Sequence, residues 1–196
     1  MALADGVFAI VLTLLVLDLR PPQAVSNRDL ARQLQAMVPA LTAFLVSFIV
    51  VGNFWFGHQM ESHWIRRSDR VHVWITLLLL LTICFIPFSA ALIGRNPRLP
   101  LATTIYGLNL GAAGLARWLH WSYATSGGRL VDHDIDPRLV RYVRKVFLAV
   151  VGLYVLAVAV GWFSTTVALG AFAVIPVAYM ISARQSRHLT SLPRTA

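Results

Sequence analysis

The stretch ADGVFAIVLTLLVLDL, residues 4–19, sets an aspartate near each end of an apolar run whose remaining polar side chain is Thr13. A buried strand, a signal peptide and a membrane helix could each carry such a run. No basic residue precedes it, Asp5 stands where a signal peptide has positive charge, and no small-residue cleavage site is convincing, so we expect a retained segment. Pro21 and Pro22 follow closely. Proline lacks an amide donor and restricts the residue before it, so a helix should stop near Leu19. Read as a helix, Asp5 to Asp18 spans about 20 Å against a hydrocarbon core of about 30 Å. That is short for a free span unless its ends reach the interfaces or lie inside a bundle.

Composition decides for a membrane. Of 196 residues 58% are hydrophobic and 13% charged, and mean hydropathy is +0.69. Soluble domains are about 25% charged. A formal charge of +9 could suggest nucleic acid. Its carriers, all Arg except Lys145, lie mainly between the oily segments or at their ends, a pattern that sets topology and gives no call for a nucleic-acid partner. Cys84 is the one cysteine; its apolar neighbours make it a small core hydrophobe rather than a nucleophile or metal ligand.

The pattern predicts an all-α integral membrane protein, with a single domain over 1–196 and six transmembrane helices at about 2–19, 37–59, 71–93, 101–121, 142–162 and 167–182. Residues 23–35 are polar and suit a surface helix. The segment 60–70 reads as a charged connection, and Pro87 should kink the third span. Gly107, Gly111 and Gly114 permit close helix contact in the fourth. Six spans put both termini on one side. Placing them in the cytoplasm of a cell-membrane protein gives eleven basic residues inside against five outside.

On a helical wheel Leu14 lies about 40° from Ile10, and Leu17 about 20° the other way with Thr13 beside it at about 60°. Ile10, Leu14 and Leu17 make one apolar stripe, suited to packing on a neighbour or to forming stacked hydrophobic constrictions around an axis. Asp5 points about 140° away from Ile10. With both termini inside, it shares a membrane level with His58, Arg117 and His120, so a polar network among these helices is expected to hold the acid.

These residues resemble the prokaryotic relatives of the lysosomal potassium channel. Asp5–Gly6–Val7–Phe8–Ala9–Ile10 and Thr13–Leu14–Leu15–Val16–Leu17 match the family's signature in its first helix. Trp55 and His58 match its Trp-x-x-His region, and FIPFSAAL, residues 85–92, its Pro-Phe pattern. Leu3 and Ala4 replace the family's Phe-Ser, and no Arg precedes Asp5 in these residues. The resemblance implies a homotetramer in membrane lipid, its first helices lining a central pore for monovalent cations. It implies K⁺ as the permeant ion, Ile10, Leu14 and Leu17 as pore and gate, and Thr13 as the selectivity residue. It further implies a structural network that includes Asp5, Trp55, His58 and Arg117, with no cofactor and no resident metal.

The chief alternative is a secondary ion transporter, for which Pro87 and the glycines supply broken and closely packed helices. A membrane assembly module without transport is a further rival. An enzyme is not expected, since the chain has no P-loop, no His-Glu-x-x-His and no nucleotide-binding glycine fingerprint. His133, Asp134 and Asp136 read as solvated loop charge rather than as a metal site.

Overall fold

The structure is a computed structural model of the 196-residue chain and describes residues 2–131 and 135–190, with side chains described through Ala178. Among the described residues the elements are helical: α1 (Ala2–Leu14), a 3₁₀ turn (Leu15–Asp18), α2 (Asn27–Ala36), α3 (Val38–Trp64), α4 (Arg70–Cys84), α5 (Ile86–Arg95), α6 (Pro100–Thr125), α7 (Pro137–Gly161) and α8 (Thr165–Thr190). Three of these stretches are long and apolar enough to cross a membrane, namely Val38–Trp64, Arg70–Arg95 across the α4–α5 break, and Pro137–Gly161.

Helix ends follow local chemistry. Ser26 caps α2 by accepting from the Asp29 amide at 3.2 Å, and Asp29 answers by accepting from the Val25 amide at 3.3 Å. Asp69 caps α4, accepting from the His72 amide at 2.8 Å. That bond, then one from the Tyr123 hydroxyl, holds the Asp69 carboxyl below the usual aspartate range. Prolines open α3, α6 and α7 within their first two residues, where a missing amide leaves no helical bond unmade. Asp136 caps α7, accepting from the Arg138 amide at 2.7 Å. The neighbouring His133 and Asp134 lie outside the described residues.

The first helix is not α-helical to Leu19. It tightens to 3₁₀ geometry after Leu14, a common way to satisfy the last carbonyls before a proline turn. Because a 3₁₀ turn rises about 2.0 Å per residue against 1.5 Å, the combined element reaches about 27 Å, close to a hydrocarbon core.

Pro87 breaks the third apolar segment at Phe85, between α4 and α5. Asn109 on α6, with its amide turned to satisfy both ends, donates to the Thr82 carbonyl at 3.1 Å and accepts from the Ile86 amide at 3.3 Å. A straight helix would have joined those two backbone groups to each other. A side chain from the next helix thus mends the gap, which is what permits a break at membrane depth.

The core lies between α3, α5, α6 and α8, around Val50, Val51, Ile86, Ile93, Leu110 and Phe172. Gly107 lets α6 approach α7 and α8, since a methyl there would overlap Val158 and the Phe172 ring. Ser47 and Tyr106 share a buried hydroxyl bond of 2.9 Å across α3 and α6. Cys84, expected inside, is exposed on α4. Its surroundings are apolar on every side, so the sequence there has no periodicity to tell an inner face from an outer one.

Candidate functional site

The two faces of α1 meet different surroundings. Ala4, Phe8, Val11 and Leu15 are buried against the bundle. On the opposite face Leu3, Gly6, Ile10, Thr13 and Leu17 recur at alternating intervals of three and four, and all are exposed. Ile10 is 59%, Leu14 43% and Leu17 70% exposed, values that leave an apolar seam with no partner among the described residues. Intervals of three and four are the pattern by which a helix packs against like helices with a left-handed twist. The Thr13 hydroxyl sits on this seam and donates to the Ile10 carbonyl at 2.8 Å. With its proton committed to the backbone, its oxygen presents lone pairs alone.

Both ends of α1 are tied down. Asp5 accepts from the Trp55 indole at 3.1 Å and from the Gln59 amide, both on α3. Asp18, at the end of the 3₁₀ turn, pairs with Arg95 on α5. These anchors fix the rotation of α1 and so the direction of its outer seam.

The basic and imidazole groups expected around Asp5 have another acid. Glu61, placed by sequence in a charged connection, lies in the last turns of α3 and is 4% exposed. Arg117 donates to its Oε1 at 2.6 Å, and His120 Nδ1 lies 3.1 Å from Oε2. The Arg117 guanidinium stands 4.6 Å from the centroid of Phe147 and 6.0 Å from that of Phe54. Gly57 makes room for it, since a methyl at that position would overlap the guanidinium. The rings of His58 and His120 are 5.5 Å apart and those of His72 and His120 4.4 Å apart, while His58 also reaches Phe8 of α1 at 6.0 Å.

Of the expected network, then, Asp5 and Trp55 meet directly, and His58 lies against α1 through Phe8. Arg117 belongs to Glu61. The signal for Glu61 was its spacing: Trp55, His58 and Glu61 stand three apart, so a helix continued past Gln59 puts them on neighbouring turns of one side.

His58, Glu61 and His120 offer donor atoms within 4.8 Å of one another, as a metal centre would. Charge argues for a different role. Arg117 already neutralises Glu61, and a divalent ion would bury two further positive charges beside that guanidinium, at a large desolvation cost.

The first helix, with its outward seam, lies within the part of the chain that a known family matches. Residues 1–87 match the family of the endosomal/lysosomal potassium channel TMEM175. A potassium channel of Streptomyces collinus is 33% identical over 183 residues, covering 91% of this chain and 88% of the relative. The chain belongs to the TMEM175 channel family. A potassium channel of Chamaesiphon minutus is 31% identical over 186 residues, with 92% and 91% covered. The human endosomal/lysosomal proton channel TMEM175 is 20% identical over 142 residues, covering 72% of this chain and 27% of the human one. The crystal structure of a lysosomal potassium-selective channel TMEM175 homolog from Chamaesiphon minutus superposes with a TM-score of 0.82 at 27% identity, over 92% of this chain and 94% of that one. TMEM175 proteins are multi-pass membrane channels rather than enzymes, and the all-helical architecture here is theirs.

Proposed function

We propose that the chain is one subunit of a homotetrameric, potassium-permeable channel of the cell membrane, with both termini cytoplasmic and four copies of α1 around the conducting path. Six crossings are made by α1 with its 3₁₀ turn, α3, the α4–α5 pair, α6, α7 and α8. The observation that carries this reading is the exposed seam of Ile10, Leu14 and Leu17 on a helix whose other face is packed against the bundle. Four such seams facing an axis give stacked apolar rings, which exclude water and so oppose ions until they are displaced. Four Thr13 oxygens offering lone pairs would replace part of a cation's hydration shell and favour K⁺ over Na⁺.

The test is ion flux in proteoliposomes under K⁺ and Na⁺ gradients. Ile10→Asn and Leu14→Asn wet the constriction and are expected to raise flux. Thr13→Ala removes the oxygen and is expected to lower K⁺ over Na⁺ discrimination. Unchanged flux in all three variants overturns the assignment of α1 to the path. Uptake of one ion against its gradient in fixed ratio to another would instead make the protein a secondary transporter.

A further inference from the structure

Helix α7 turns one face outward along its whole length. Arg138, Arg141 and Lys145 are exposed on its first turns, and Leu148, Leu156 and Ala159 are exposed further along. At about 100° per residue these six fall within a sector of about 80°, so cations and apolar side chains share one continuous stripe. Phe147, Tyr154 and Ala157 are buried on the other side. Of the three stretches long and apolar enough to cross a membrane this helix is the least covered: 17% of its apolar part is buried, against 39% in Val38–Trp64 and in Arg70–Arg95. From Lys145 to Gly161 the helix rises about 24 Å, and a long Lys or Arg side chain reaches beyond that, so the charged end of the stripe stands at the headgroup level of a core about 30 Å thick. Trp162 and Phe163 are exposed at the far end, where aromatic rings favour the opposite interface.

The fourth cation of this helix end, Arg144, turns inward and donates to the Ser122 carbonyl at 2.8 Å and to the Thr125 hydroxyl at 2.9 Å, both on α6. The other three pair with no carboxylate among the described residues. The described acids are engaged elsewhere: Asp5 with Trp55 and Gln59, Glu61 with Arg117 and His120, and Asp69 with the His72 amide and the Tyr123 hydroxyl. Asp18 pairs with Arg95, and Asp29 belongs to the cap of α2. Asp136, next to the stripe in sequence, accepts from the Arg138 amide. Asp132 and Asp134 lie outside the described residues, and residues 137–196 include no acid. We infer that this stripe binds an anionic phospholipid, its phosphate held by Arg138, Arg141 and Lys145 and an acyl chain lying along Leu148, Leu156 and Ala159. Guanidinium and ammonium groups match phosphate oxygens, and each cation at the membrane surface adds attraction to anionic lipid. A free phosphate leaves the apolar part of the stripe unused, whereas a phospholipid carries both chemistries in the order the helix presents them. Binding there requires only that α7 cross a membrane, so its failure leaves the assignment of α1 to the conducting path untouched.

The experiment uses the full chain in mild detergent. Native mass spectrometry compares retention of phosphatidylglycerol with that of zwitterionic phosphatidylcholine carrying the same acyl chains. The wild type is expected to prefer phosphatidylglycerol, and Arg138→Gln/Arg141→Gln/Lys145→Gln to reduce that preference about ten-fold. Removing three exposed charges elsewhere, in Arg20→Gln/Arg28→Gln/Arg32→Gln, is expected to leave it unchanged. Equal retention of both lipids by the wild type overturns the inference, whether the face then lies against another copy of the chain or against neutral lipid. So does a loss in the Arg20/Arg28/Arg32 variant as large as that in the α7 variant. An unchanged size-exclusion profile shows that each variant is folded.

Discussion

At its N-terminal end α1 runs beside a polar cluster sealed from solvent, where Glu61 and Arg117 have side-chain exposures of 5% and 7%. At its C-terminal end it meets a pair at the surface, with Asp18 at 25% and Arg95 at 58%. Each is a carboxylate and a guanidinium, drawn as the same bond. Their surroundings make them different objects. The inner pair has lost its water and depends on its partners; the outer pair still shares its charge with solvent. The comparison teaches that an ion pair's importance is set by what remains when one half is removed.

The largest effect is therefore expected at the buried end. Glu61→Ala leaves the Arg117 guanidinium in a pocket that gives it two aromatic faces and takes away its carboxylate. Breaking such a pair costs about 3–5 kcal/mol, which should appear as a large fall in thermal midpoint or a failure to assemble. Replacing both partners, as Glu61→Leu/Arg117→Met, should recover much of that loss, because no charge is then stranded. If the single and double variants melted alike, the pair would not be the reason the cluster holds.

Crowding the same cluster without changing its charge should cost less. In Gly57→Ala the added methyl falls on the Arg117 guanidinium, which must shift away from Glu61 or push α3 from α6. Overpacking of this kind costs about 1–3 kcal/mol. The fall in thermal midpoint is expected to be absent when Gly57→Ala is made in the double variant, where no guanidinium stands in the way.

Reading these residues in order shows what a sequence can and cannot reveal. The face of α1 was legible, because a rotation of about 100° per residue turns spacing into direction. A polar helix within 23–35 and a kink at Pro87 were legible too. The structure starts that helix only at Asn27, where Ser26 caps it, and breaks the third segment where Pro87 lacks an amide. The partner of Arg117 was not. Choosing between Asp5 and Glu61 depends on how α3 and α6 pack, and on α3 running to Trp64 rather than stopping at Gln59. The exposure of Cys84 was hidden for a related reason, as a run of leucines names no inner face. The change to 3₁₀ geometry after Leu14 follows from how α1 ends, which hydrophobicity does not record.

Between the two extremes lies the Asp5 anchor, where Trp55 is 41% exposed and Asp5 keeps Gln59 as a second donor. Trp55→Phe keeps the ring and removes one hydrogen bond, at about 0.5–1.5 kcal/mol. A thermal midpoint as low as that of Glu61→Ala would show that Asp5 belongs to the buried cluster after all.

The smallest effect belongs to the outer pair, and salt is what identifies it. Asp18→Asn removes one charge of a partly solvated bridge, for which about 0–1 kcal/mol is expected. Raising ionic strength from about 0.1 M to 1 M shortens the screening length from about 10 Å to 3 Å. The gap between wild type and Asp18→Asn should therefore close in high salt, while the gap for Glu61→Ala should stay open because water and ions do not reach that pair. Thermal midpoints of both variants at the two salt levels make the measurement. A salt-insensitive Asp18→Asn would mean that the 3₁₀ end of α1 is held in the assembly by a neighbour that also excludes water, and the contrast between the two ends would then be a property of the isolated subunit.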